Sequence, residues 1–116
     1  MLIGKKKSKE WSIPKGNIEP NLSFGENAAK EAYEEAGVKG VVSTSFAGKF
    51  RDTKRTRTRL SKRIIEVWVY LLEVQNCLPD WPEKGKRQLQ WVPCETAMRL
   101  LREPVLAQLC ARLSEK

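Results

Sequence analysis

Glu31, Glu34 and Glu35 are the residues of this chain whose type and spacing could do chemistry. On a helix they stand at i, i+3 and i+4, on one face, where like charges repel by roughly a few tenths of a kcal/mol per pair. A solvated outer face is the ordinary account of an exposed glutamate pair, because Glu is a good helix former. Three crowded carboxylates make better sense with a cation to bind, and an all-oxygen ligand set suits Mg²⁺ or Mn²⁺ and argues against zinc. The sequence contains no histidine, which excludes Ser-His-Asp and Cys-His mechanisms and histidine-ligated metals. Carboxylates must therefore carry any acid–base work.

The element that must position these glutamates is a helix over residues 24–36. Ser23 is placed as its N-cap, and Glu26 three residues on completes a capping box. Alanines at 28, 32 and 36 form a small-residue stripe that lets the helix lie close to a sheet, and Gly37 stands where a terminal glycine ends it. Ahead of the helix, Pro14 and Gly16 mark a loop.

Around this helix the chain alternates strands and turns. Residues 1–4 and 11–13 read as two short strands joined by a turn carrying Lys5, Lys6, Lys7 and Lys9, which is equally readable as a solvated turn or as a phosphate contact. Residues 38–50 predict one strand, or two interrupted near Gly40. In the following hairpin Arg51, Lys54, Arg55, Arg57, Arg59, Lys62 and Arg63 face one acid, Asp52, and their alternation with threonines would put a row of cations along one edge, suited to several phosphates at once. The apolar run 64–74 predicts a central strand. A turn-rich connection leads to a short strand over 87–92 anchored by Trp91, then to helices over 95–101 and from Pro104 to about 113.

Length and composition bound the rest. A chain of 116 residues with 41% hydrophobic content predicts a single domain spanning 1–116. Lys and Arg total 22 against 14 acids, a formal charge of +8, which favours a polyanionic partner. No run approaches the about eighteen apolar residues of a membrane span, and the start has no apolar core for a secretory signal, so the expected location is cytoplasmic, with no membrane partner. Cys77, Cys94 and Cys110, odd in number and without a CxxC spacing, predict free thiols. Oligomeric state is not legible in the sequence.

Residues 14–38, PKGNIEPNLSFGENAAKEAYEEAGV, resemble the Nudix box: Gly, five residues, Glu, seven residues, then Arg-Glu-apolar-x-Glu-Glu-x-Gly-apolar. The chain supplies Gly16, Lys30, Glu31, Ala32, Glu34, Glu35, Gly37 and Val38 at that spacing. Within that family WSIPKG, EAYEEAGVKG and WPEKGKRQLQW are similar to the diphosphoinositol polyphosphate and diadenosine polyphosphate phosphohydrolases. The resemblance implies an α+β Nudix fold, with a mixed β-sheet sandwiched between helices, and a Mg²⁺-dependent hydrolase of diphosphate linkages in small-molecule polyphosphates. It implies Glu31, Glu35 and the carbonyl of Lys15 as metal ligands and Glu34 as proton acceptor. Gly4, Lys5, Lys6, Gly16, Lys54, Arg55 and Arg87 are the implied substrate contacts.

The chain departs from the family pattern in three places. Leu22 stands where the box has its first glutamate and Lys30 where it has arginine, and the two changes are expected to be linked, since an arginine that loses its acid loses the match for its planar fork. The usual first strand of the sheet is not in this sequence, so the start is expected to lie upstream of Met1, or the sheet to have an open edge. The alternative function is a noncatalytic polyanion-binding or RNA-binding module that uses the basic hairpin, although that hairpin lacks interleaved aromatics for base stacking.

Overall fold

The computed structural model describes residues 1–5, 10–55 and 62–114, with the backbone alone for Lys5, Lys54, Arg55, Lys62 and Ser114. In chain order the elements are β1 (Leu2–Lys5), α1 (Phe24–Ala36), β2 (Val38–Val42), β3 (Gly48–Arg55), β4 (Lys62–Val69), β5 (Leu72–Cys77), β6 (Arg87–Gln90), α2 (Cys94–Leu100) and α3 (Pro104–Ser114). This is an α+β arrangement. Its ladders are three antiparallel pairs, β1 with β6, β2 with β5 and β3 with β4, and among the described residues a single parallel bridge joins Trp11 to Leu101.

The core lies on both sides of β1. Successive residues of a strand point to opposite faces, and Leu2 joins Val69, Ala97, Leu101, Leu106 and Leu109, whereas Ile3 joins Ala32, Ala36 and Val38. One face of the strands therefore packs on α2 and α3 and the other on α1. The alanines at 32 and 36 are the close-packing stripe expected of α1, and both are buried. An apolar cavity of about 680 Å³ runs between the strand pairs, reaching from Leu109 and Cys110 of α3 to Ala28 and Glu31 of α1.

Two sequence expectations change. The apolar run 64–74 is two strands, because β4 pairs with β3 and β5 pairs with β2, and the chain breaks at Tyr70 and Leu71 to switch partner. Ile64, which opens the run expected as a central strand, is 74% exposed. Residues 38–50 are also two strands, but they part at 43–47, where the Ser43 hydroxyl donates to the carbonyl of Ser45 and accepts from the N–H of Leu71. Gly40 instead marks a bulge in β2, where the Glu73 carbonyl occupies the space a Cβ would need.

Candidate active site

The site is built on α1, and the helix owes its exact span to local chemistry. Ser23 Oγ accepts from the Glu26 N–H at 3.1 Å and Glu26 Oε1 accepts from the Ser23 N–H at 2.8 Å, so the capping box is complete. Glu26 is held below the usual carboxylate range by these Ser23 hydrogen bonds. At the other end Gly37 takes the left-handed conformation, φ 68°, and donates its N–H to the Tyr33 carbonyl. No Cβ fits at Gly37 either, because the ring of Trp81 lies against it. Trp81 and not Trp91 is the anchoring tryptophan of this region; Trp91 is 56% exposed. The loop after β5 is further tied to α1 by the N–H of Leu78 on the Gly37 carbonyl, 2.8 Å, and the N–H of Glu83 on the Glu34 carbonyl, 3.0 Å.

The loop before α1 is tied down by Asn27, a buried residue the sequence reading did not single out. Its Oδ1 accepts from the Glu19 N–H at 3.0 Å and its Nδ2 donates to the Ser23 carbonyl at 3.0 Å. A buried amide that spends its groups on loop backbone fixes that loop against the helix. An Asn at the fourth helical position was the available signal, since such a residue is a poor helix former with a local hydrogen-bonding alternative.

Of the three glutamates, two come together. Glu31 and Glu35 share a hydrogen bond, and the Glu31 carboxyl sits where a Cβ on Gly16 would be, which explains the glycine in the loop. Glu35 is 4% exposed. Burial, the Glu31 hydrogen bond and the charges of Glu31 and Glu83 push its carboxyl up to about 8, against the opposing pull of the Arg87 guanidinium. Arg87 Nε lies 3.6 Å from Glu35 Oε1 and its Nη1 lies 2.5 Å from Glu83 Oε1. Glu34 faces elsewhere: its Oε1 is 3.5 Å from Lys30 Nζ.

The remaining predicted positions distribute around this centre. In the β1–β6 ladder Lys5 is opposite Arg87 and Gly4 opposite Gln88, which brings the backbone of both to the carboxylate pair's neighbour. Gly4 is buried, with the Glu10 carbonyl 2.8 Å from where its Cβ would stand. Lys15 reaches across from the loop to β3, with Nζ 3.2 Å from Asp52 Oδ2. Asp52 is held below its usual range by the Thr53 N–H and by Lys15. Lys54 and Arg55 lie at the far end of β3, opposite Arg63 and Lys62. Lys6 and the side chains of Lys5, Lys54 and Arg55 lie outside the described residues.

The linkage expected between Leu22 and Lys30 takes a different form. Lys30 is not left without an acid: its Nζ lies 2.5 Å from Glu19 Oε1, three residues before the family's glutamate position. That ion pair raises the Lys30 ammonium above its ordinary value.

Among the described residues no three acidic or thiol side chains converge into a ready-made cation cage. The Glu31–Glu35 pair still fits Mg²⁺ on its chemistry. Two carboxyls held in one half-enclosed place need a proton or a cation between them, and Mg²⁺ is commonly bound by one or two carboxylates, with water and substrate phosphates completing its shell.

Residues 2–113 match the NUDIX domain. The chain belongs to the Nudix family. It is 34% identical over 108 residues to diphosphoinositol polyphosphate phosphohydrolase 2 of Rattus norvegicus, covering 90% of this chain and 55% of that protein. It is 33% identical over 107 residues to diphosphoinositol polyphosphate phosphohydrolase 3-alpha of Homo sapiens, covering 89% of this chain and 60% of that protein. The chain thus spans a little over half the length of the curated relatives it matches. Among the described residues no helix is long and apolar enough to cross a membrane.

Proposed function

We propose that this Nudix domain is a Mg²⁺-dependent hydrolase that cleaves diphosphate linkages in phosphate-rich small molecules, of the diphosphoinositol polyphosphate or dinucleoside polyphosphate kind. The observation that carries the reading is the Glu31–Glu35 pair, with Glu35 buried and flanked by Arg87 and the Glu31 carboxyl packed on Gly16. Glu31, Glu35 and the carbonyl of Lys15 are the proposed Mg²⁺ ligands. When bound, Mg²⁺ would neutralise phosphate oxygens and take up charge developing on them. Glu34 is the proposed proton acceptor for water; its side chain is partly open to solvent, and Lys30 beside it keeps a cation within 3.5 Å. Arg87, Lys5, Lys6, Lys54 and Arg55 would hold the polyphosphate. The chain's formal charge of +8 favours such a partner.

The test is turnover. Pure protein with Mg²⁺ is incubated with diphosphoinositol polyphosphates, dinucleoside polyphosphates, capped RNA and nucleoside triphosphates, beside Glu34→Gln and Glu35→Gln. Release of phosphate from the diphosphoinositol polyphosphates and of two nucleotides from each dinucleoside polyphosphate, lost in both variants, is the expected result. Activity indifferent to both substitutions would overturn the assigned roles, and absence of turnover on every substrate would overturn the function.

A further inference from the structure

Glu83, in the loop between β5 and β6, is an acid that the proposed reaction does not use. Its backbone is fixed on both sides: the Glu83 N–H donates to the Glu34 carbonyl at 3.0 Å, and its own carbonyl accepts from the Lys86 N–H at 3.1 Å. The same loop is fastened to the end of α1 by the Leu78 N–H on the Gly37 carbonyl and by the Trp81 ring against Gly37. The Glu83 side chain therefore starts from a point that is set relative to the candidate site.

From there it reaches Arg87, four residues on and past the turn at Gly85, φ 87°, with Oε1 2.5 Å from Nη1. Another nitrogen of that guanidinium, Nε, stands 3.6 Å from Glu35 Oε1. A charge-assisted N–H to carboxylate hydrogen bond is about 2.7–2.9 Å long. Arg87 is thus bonded to Glu83 and only neighbours Glu35. The Glu83 and Arg87 side chains are 25% and 29% exposed, so the pair stands partly out of water, where a charge pair counts for more than at the open surface.

This division matters because an arginine keeps its proton in a protein, and its planar fork is a rival cation for any carboxylate it can grip with two N–H groups. A guanidinium closed on Glu35 would fill the ligand position that a metal ion needs. Held back at 3.6 Å, it still offsets charge and leaves the carboxyl accessible.

We infer that Glu83 is a positioning residue for the metal site: by gripping Arg87 it keeps the guanidinium from closing on Glu35, and so leaves Glu35 open to a divalent cation. The inference rests on the hydrolase reading in one respect, that Glu35 is a metal ligand. Glu83 touches neither metal nor substrate in this role and acts only through Arg87.

The test is binding of Mn²⁺, read from the paramagnetic resonance of the free ion, by the wild-type chain and its variants. Glu83→Gln and Glu83→Ala leave the backbone hydrogen bonds of residue 83 in place and are expected to bind Mn²⁺ about tenfold more weakly, the scale of losing a partner of a metal-binding side chain. Adding Glu83→Gln to Arg87→Met is expected to change the affinity by less than about twofold relative to Arg87→Met alone, because the rival cation is gone. In turnover, raising Mg²⁺ should return the kcat of Glu83→Gln to the wild-type value, which a displaced loop would not allow. Wild-type Mn²⁺ affinity in both Glu83 variants would overturn the inference alone. So would a loss of undiminished size in the Arg87→Met background, since Glu83 would then act by its own charge, or a kcat that stays low at saturating Mg²⁺. A wild-type chain that binds no Mn²⁺ would remove the metal site, and with it both the hydrolase reading and the inference.

Discussion

Arg87 Nε stands 3.6 Å from Oε1 of Glu35, and the same guanidinium is held 2.5 Å from Glu83. The arginine is thus shared between a buried carboxyl of the candidate site and a carboxyl of the loop that packs under Trp81 and Gly37. Arg87→Met removes the one influence that pulls Glu35 down against burial and against Glu31, so Glu35 should take up a proton more readily. The expected outcome is an apparent Mg²⁺ affinity or activity about 10- to 100-fold weaker, as for other partners of metal-binding carboxylates. A Mg²⁺ titration of activity checks it; an unaltered midpoint and rate would show that Arg87 serves neither Glu35 nor substrate.

The raised carboxyl of Glu35 makes a second prediction, about stability and pH. Its value moves from 4.5 up to about 8 on folding. Between those values the folded chain binds a proton that the unfolded chain has lost, so stability falls as pH rises from about 5 to 8. The slope has an upper bound on the order of 1 kcal/mol per pH unit. In metal-free protein Tm should therefore drop across that window, and Mg²⁺ should restore it at pH 8 far more than at pH 5, because binding at pH 5 must displace the proton. Thermal denaturation in chelator and in Mg²⁺ checks both parts, and a metal-free Tm that climbs from pH 5 to 8 would contradict the account of Glu35.

Lys30 supplies the third. Because its ammonium is already engaged by Glu19 and touches Glu34, Leu22→Glu should bring little stability, with or without Lys30→Arg. Glu19→Gln should release Lys30 towards Glu34 and lower Tm modestly, and that drop should disappear in a Lys30→Met background. A double-mutant cycle on Tm reads the coupling directly; additive effects of Glu19→Gln and Lys30→Met would mean that the pair does no more than coexist at the surface.

What was legible in the sequence was legible because its cause is local. The span of α1 follows from Ser23, Glu26 and Gly37, residues that satisfy helix ends within a few positions of themselves. The spacing of Gly16 and the glutamates likewise needed only counting. The misreadings share a different cause. The run 64–74 has no break in hydrophobicity at Tyr70, because the break is a change of pairing partner from β3 to β2, which apolar character does not record. Trp81 and Trp91 are equally apolar, and which of them is anchored depends on Gly37, 44 positions before Trp81, having no side chain in the way. Glu19 was overlooked for the same kind of reason: its pairing with Lys30 requires the loop that Asn27 fastens.

Gly16 carries the fourth prediction, and it isolates the position of a carboxyl from its presence. The Glu31 carboxyl occupies the place where a Cβ on Gly16 would be built, so Gly16→Ala must push that carboxyl away. The obstacle is the far end of a flexible side chain, so the fold should survive and far-ultraviolet circular dichroism should stay native. The carboxyl would nevertheless leave Glu35, and a displacement on the order of 1 Å at a reacting centre costs about 100-fold in rate. The expected outcome is a folded variant with a raised Mg²⁺ requirement and a much lower kcat. Glu31→Ala in the Gly16→Ala background should then add little, because the carboxyl it deletes has already been moved out of place. A Gly16→Ala protein with the wild-type Mg²⁺ dependence would show that the contact between loop and helix does not set the site.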